Sequence, residues 1–187
     1  AEGLPVPRVL AEDDIGSRWP VIVKPVDAFS GRGVTIVHER NKDDLPNALV
    51  SARQASRSGV CLVEDYVEGQ LYSHSAFINE GKIASDFIVE EHCTANPFVV
   101  DASRVLYDFS EPILAGIRAN IRFLAKQLKL KDGLVHTQFI CNGYDYWLIE
   151  ITRRCPGDLY SRLIEFSTGF PYSENYARPF EIGRAHV

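Results

Sequence analysis

Lys24 closes a short apolar run, Trp19-Pro20-Val21-Ile22-Val23-Lys24-Pro25. An ammonium at the end of a buried strand is costly unless an anion meets it, and a phosphate is one such anion. The segment Ala28-Phe29-Ser30-Gly31-Arg32-Gly33 follows, with two glycines whose backbone N–H groups have little steric cover, as in loops that cradle phosphates. Taken alone, Gly31-Arg32-Gly33 suits a structural turn better. It lacks the third glycine and the following helix of a dinucleotide fingerprint.

A second group lies far along the chain. Leu134 to Cys141 and Tyr146 to Thr152 read as strands of a hairpin around Asn142-Gly143. Alternation puts His136, Gln138 and Ile140 on one face and Val135, Phe139 and Cys141 on the other. Assigning Trp147, Ile149 and Ile151 to the apolar face of the partner leaves Leu148, Glu150 and Thr152 opposite, so Gln138 and Glu150 share a polar surface. Oxygen donors converging from two strands suit a hard cation such as magnesium. A lone hairpin of this kind also fits a solvated sheet face. The metal reading carries a condition: an odd number of residues must form the loop. A two-residue Asn142-Gly143 turn would put the two side chains on opposite faces.

Weaker candidates are His74, His92 and His136, which have no metal-ligand spacing and fit structural positions better, and Arg104, which could pair with a substrate carboxylate but fits an ordinary surface arginine. The four cysteines are widely spaced, without a C-x-x-C pair, and read as reduced thiols. Only Cys155, beside Arg153 and Arg154, invites a reactive reading, and a bystander role suits it better.

The elements that must hold these residues alternate between strand and helix, which predicts an α+β or α/β domain. Trp19–Pro25 and Val34–Val37 form a hairpin with the glycines at its tip. Asp43–Arg57 is a helix with Leu45, Ala48, Leu49, Ala52 and Ala55 in its stripe, capped by Asn41. Val60–Glu64 is a strand, Leu71–Ile78 and Lys82–Glu90 form a hairpin around Asn79-Glu80-Gly81, and Glu91–Ser110 is irregular. Glu111–Leu130 is the longest helix, with Ile113, Ile117, Ile121, Leu124 and Leu128 on one face. After the last hairpin come a polar loop, Arg153–Asp158, and a short helix. At 187 residues there is room for one sizeable domain or two small lobes. The formal charge of −5 and the absence of a Lys/Arg cluster argue against nucleic acid or an anionic membrane as partner. No apolar run is long enough to span a bilayer and no signal pattern opens the chain, so a cytoplasmic location is expected.

The order of these features resembles the ATP-grasp superfamily across nearly the whole chain. Gly3-Leu4-Pro5-Val6-Pro7 resembles the opening of its nucleotide-binding lobe, Pro20-Val21-Ile22-Val23-Lys24-Pro25 its phosphate-lysine strand, and Ser30-Gly31-Arg32-Gly33-Val34 its mobile glycine-rich lid. Leu62 to Gly69 is similar to its adenine hinge. Leu148-Ile149-Glu150-Ile151-Thr152-Arg153-Arg154 is similar to its metal-binding E-x-N-x-R strand.

The resemblance implies an α+β fold of two lobes with nucleotide bound between antiparallel sheets: a small lobe over 1–66 and a large lobe over 67–180. It implies that Lys24 contacts the α- and β-phosphates, that Gly31, Arg32 and Gly33 fold over the triphosphate, and that Glu64, Asp65 and Val67 frame the adenine. Gln138, Glu150 and Thr152 would bind Mg2+, and Arg154 would brace the transferred phosphoryl group. Gln138 matches the carbamoyl phosphate synthetase and biotin carboxylase branch. The implied activity is that of a ligase that uses ATP to activate a carboxylate as an acyl phosphate and passes it to an amine-type acceptor. The alternative is an ATP-binding regulatory or scaffold domain with impaired catalysis, motivated by Leu71 where the family often has a ribose-binding acid and by Thr152 where it has asparagine. Arg153 in place of the usual proline, and Cys155-Pro156-Gly157-Asp158 after it, fall near the acceptor side and mark either a distinct substrate class or lost activity.

The chain contains no methionine and is expected to lack an N-terminal lobe with a further phosphate-contacting basic residue. Its last residues, 181–187, are what GAG ATC GGA AGA GCA CAC GTC encodes, a string containing a common sequencing-adapter sequence. They are expected to be read-through, foreign to the fold.

Overall fold

The computed structural model describes residues 3–12 and 14–181. Most of the expected read-through segment, 182–187, lies outside the described residues. Apolar side chains gather in two separate units. Residues 6–68 with 93–101 form the smaller, and the remaining described residues form the larger.

In the smaller unit, β1 (Val9–Leu10), β2 (Val21–Pro25), β3 (Thr35–Val37) and β4 (Cys61–Asp65) make an antiparallel sheet in the order β1-β4-β2-β3. Alternation decides what each face does. Val21, Val23, Val37 and Val63 are buried with Ala48, Leu49 and Ala52 of helix α1 (Leu45–Ala55), whose apolar residues recur at helical spacing. Each fully buried valine or leucine contributes roughly 1.5–3 kcal/mol. The intervening residues Ile22, Lys24, Leu62 and Glu64 therefore face away from α1, with Ile22 paired to Glu64 and Lys24 to Leu62. A 3-10 turn, Glu39–Asp44, leads into α1, and Asn41 sits inside it, its Oδ1 accepting the His38 N–H at 2.9 Å. The expected cap is thus part of the preceding turn.

In the larger unit, β5 (Gln70–Asn79), β6 (Lys82–His92), β7 (Ala102–Leu106), β8 (Gly133–Cys141) and β9 (Tyr146–Thr152) form an antiparallel sheet in the order β7-β6-β5-β8-β9. Glu80 and Gly81, both at positive φ, make the two-residue turn between β5 and β6, the turn whose twist suits a hairpin. One face packs on helix α2 (Glu111–Gln127): Ile113, Ile117 and Ile121 meet Ala76, Ile78, Ile88, Val135, Phe139 and Leu148. Helices α3 (Tyr160–Thr168) and α4 (Tyr172–Ala177) cover part of the other face, where Tyr160, Ile164 and Tyr172 pack with Phe77, Val89, Val105 and Leu134. Leu128, expected on the apolar face of α2, lies past the end of that helix and is exposed. Part of the segment expected to be irregular is strand β7. Among the described residues, no helix is long and apolar enough to cross a membrane.

The last hairpin departs from the expected geometry twice. Cys141 pairs with Tyr146, so residues 142–145 form a four-residue connection, an even number. The register then shifts: Phe139 pairs with Leu148, whereas Gln138 pairs with Glu150. Ile149 is the extra residue of a bulge, and one extra residue inverts the alternation of everything beyond it. Leu148 accordingly shares the buried face with Phe139 rather than the polar face expected for it, and only 7 % of it is exposed. Beyond the bulge, Glu150 and Thr152 pair with Gln138 and His136. The odd residue that the metal reading requires is in the strand, not in the loop.

Candidate active site

Lys24 and Glu64 are diagonal neighbours on the face of the smaller sheet turned away from α1. Lys24 Nζ lies 2.6 Å from Glu64 Oε2, with the side chains 22 % and 9 % exposed. Burial is tolerable because each charge answers the other. The loop after β2 carries Ser30, Gly31 and Gly33 at positive φ. A Cβ on Gly33 would come within 2.6 Å of Ala55 Cβ and 3.2 Å of Ser51 O in α1, and one on Gly31 within 2.5 Å of Phe98 Cβ. Glycine is therefore required here for close approach as well as for backbone conformation. The Arg32 guanidinium stands over the Phe29 ring, 5.0 Å from its centroid. Along β4 and its continuation, Glu64 turns to Lys24, Asp65 turns to the other side, 3.5 Å from Arg18 Nη1, and Val67 is half-buried. These three residues share a segment of chain rather than a common face.

In the larger unit, Gln138, Glu150 and Thr152 stand on one face, as the pairing requires. Glu150 is exposed, while Gln138 and Thr152 are half-buried. Gln138 Nε2 donates to Glu91 Oε2 at 2.9 Å. Glu91, on β6, is only 4 % exposed. Burial pushes its carboxyl above the usual range, opposed by hydrogen bonds from Ser73 and Gln138. Ser73 Oγ is in turn 3.0 Å from Tyr160 Oη, and Tyr160 Oη is 3.3 Å from Ser75 Oγ. Sequence reasoning missed Glu91. The Glu80-Gly81 turn alone would set Leu71 opposite Glu90; a register shift between Phe77 and Ile78 moves its partner to Glu91 and so puts Glu91 on the face of Gln138, which turn parity could not reveal.

The donor set fits magnesium. It consists of oxygen atoms, from an amide, a carboxylate and a hydroxyl. That suits a cation that takes one or two carboxylates and completes its shell with water and phosphate oxygens. It does not suit a protein-only zinc cage. Thr152 Oγ1 accepts the Arg154 N–H at 3.3 Å and keeps a lone pair for a cation.

The two arginines after β9 differ in use. Arg153 donates to the carbonyls of Lys131 and Asp132, both at 2.9 Å, and so holds the entry to β8. Arg154 is exposed and touches the Cys155 carbonyl at 3.2 Å. Cys155 has its thiol pushed up by burial, the opposite of nucleophile activation. His74 and His136 face opposite sides of the sheet. His74 is fully buried, 2.9 Å from Asp86. His136 is 2.9 Å from Ser75 Oγ and is lowered to about 4, chiefly by burial, which keeps the imidazole neutral at pH 7. Arg104 Nε and Nη2 both reach Glu90 Oε2, at 3.0 and 2.5 Å, and His92 is 3.4 Å from the same oxygen.

A profile of the ATP-grasp domain matches residues 17–161. The chain belongs to the ATP-grasp family. Cyanophycin synthetase of Trichormus variabilis is 34% identical over 94 residues, 46% of this chain and 10% of that protein. The carbamoyl phosphate synthase large chain of Methanospirillum hungatei is 27% identical over 166 residues, 86% of this chain and 15% of that protein. This ATP-grasp chain thus spans a small part of the curated relatives it matches. The fold matches the crystal structure of D-alanine–D-alanine ligase from Bacillus anthracis complexed with ATP, with a TM-score of 0.67 at 19% identity, over 92% of this chain and 56% of that one.

Proposed function

We propose that this chain is part of a magnesium-dependent ligase that uses ATP to activate a carboxylate as an acyl phosphate and joins it to an amine-type acceptor. The observation that supports it most is the bulge at Ile149, which brings Glu150 opposite Gln138 on a face where their oxygens can meet a cation. The names of the relatives, two of them called synthetase or synthase and one a ligase, agree with this reading.

Phosphoryl transfer needs positioning and charge cancellation more than a protein nucleophile. Lys24, once released from Glu64, would supply positive charge to the α- and β-phosphates. The backbone N–H groups of the Gly31–Gly33 loop would bind triphosphate oxygens and shield them from water, and Val67, with the backbone of Glu64 and Asp65, would frame the adenine. Gln138, Glu150 and Thr152 would hold magnesium, which when bound withdraws charge from phosphate oxygens. Arg154, exposed at the end of β9, would brace the transferred group. The acceptor amine then displaces phosphate from the acyl phosphate and loses a proton. A cytoplasmic setting, where magnesium-ATP is abundant, suits this chemistry.

The test is isotopic. With an 18O-labelled carboxylate substrate, one label must appear in the released phosphate. ATP cleavage without such transfer, across a panel of carboxylates and amines, sinks the ligase reading. The second reading, an ATP-binding domain with impaired catalysis, is favoured by the bond between Thr152 Oγ1 and the Arg154 N–H, which occupies part of the ligand's capacity. It predicts magnesium-ATP binding with no ADP release.

A further inference from the structure

An amide is a two-ended ligand. Its oxygen can bind a cation, whereas its NH2 group repels one, so a glutamine in a metal site must be held the right way round. Gln138 has its NH2 donated to Glu91 at 2.9 Å. The contact is made by the NH2 end, which a carboxyl oxygen accepts, leaving the amide oxygen for another partner. Glu91 is itself fixed: it is 4 % exposed and lies beside Ser73, whose Oγ donates to the buried Tyr160 hydroxyl at 3.0 Å. The support behind Gln138 therefore runs from a helix core residue, through a strand serine, to a carboxylate.

We infer that Glu91 is a positioning residue for the metal site, holding the Gln138 amide with its oxygen toward the cation. The inference rests on the magnesium reading given above. It also explains why residue 138 is a glutamine: two carboxylates at hydrogen-bond distance repel, and one would take up a proton. With Glu91 behind it, the position takes the neutral side chain, and the negative charge sits one layer back. Groups behind metal ligands commonly set affinity by 10- to 100-fold, on the order of what is expected here.

The test measures Mn2+ binding by electron paramagnetic resonance on the 187-residue chain saturated with ADP, with ADP affinity without metal as control. Glu91→Leu is expected to weaken Mn2+ binding by about tenfold or more while leaving metal-free ADP binding unchanged. Exchanging the pair, Glu91→Gln with Gln138→Glu, reverses the hydrogen bond and directs a carboxylate oxygen outward, so it is expected to recover most of the loss. A general packing role for Glu91 predicts no such recovery. Glu150→Gln serves as reference. If it weakens Mn2+ binding and Glu91→Leu does not, the inference is overturned and the metal reading stands. If neither weakens it, both fall. Should Glu91→Leu fail to fold, the exchange decides: a folded exchange variant that does not bind Mn2+ overturns the inference.

Discussion

The two units each bury a carboxylate beside a candidate site residue, and they do it to opposite effect. In the smaller, Glu64 meets the Lys24 ammonium at 2.6 Å, and the pair is neutral before any ligand arrives. In the larger, Glu91 accepts from the neutral amide of Gln138 at 2.9 Å, a contact that brings no opposite charge. A phosphate approaching Lys24 must compete with Glu64 for the ammonium. On the magnesium reading proposed above, a cation at Gln138 would meet the amide oxygen, with the Glu91 carboxyl behind the NH2 end. The first arrangement stores a cation in an ion pair, and the second, on the proposed reading, would hold an amide oxygen ready for one.

If this contrast is right, the stability cost of a substitution and its cost in metal binding separate by unit. The largest stability effect belongs to the smaller unit. Lys24→Met leaves Glu64 buried and unpaired and is expected to cost about 3 kcal/mol in urea unfolding, most of it recovered by adding Glu64→Leu. A second buried charge cluster, Asp86 with His74 and Arg118, should behave like that pair. Burial would raise the Asp86 carboxyl, but hydrogen bonds and charge from His74 and Arg118 hold it well below the usual carboxylate range. A carboxyl depressed in the fold contributes stability that is fully present above its unfolded value near 4 and is lost as pH falls below that. Asp86→Asn should therefore cost about 2 kcal/mol at pH 7 and flatten the fall of the unfolding midpoint below about pH 4. Glu150→Gln is expected to do the reverse. It should weaken Mn2+ binding by about tenfold, equivalent to about 1.4 kcal/mol, with stability changed by less than about 0.5 kcal/mol because the side chain is exposed. The smallest effect is expected at Arg104, 68 % exposed beside Glu90: Arg104→Ala should shift stability by about 0.5 kcal/mol or less. A cost above 2 kcal/mol there would mean that burial is not what distinguishes the Lys24 pair.

Long periodic elements were legible in the sequence. The helical stripe of Ile113, Ile117 and Ile121 and the alternation of β2 predicted α2 and the smaller sheet, because burying one face leaves a repeating mark. Strand β1, two residues long, leaves no such mark, and β7 is an edge strand whose Ala102-Ser103-Arg104 reads as loop. Gln138 and Glu150 were read as facing together by strand parity, and in the structure they do face together, through a bulge that parity cannot reveal. Leu148, apolar at the expected polar position, was the one local sign of it. The contacts that join distant segments were not legible: Glu91 with Gln138, Lys24 with Glu64, and Phe98 with Gly31 depend on which strands become neighbours.

Phe98 belongs to a segment that leaves the larger unit after β6, joins the smaller, and returns at β7. Neither unit is therefore a continuous stretch of gene. During translation the smaller unit stays incomplete until β5 and β6 of the larger have been made, so it is not complete when residues 6–68 emerge, although it is still complete before the larger. Recombination meets the same barrier. A crossover that carries residues 6–68 into another protein delivers the glycine loop without the phenylalanine against which Gly31 packs.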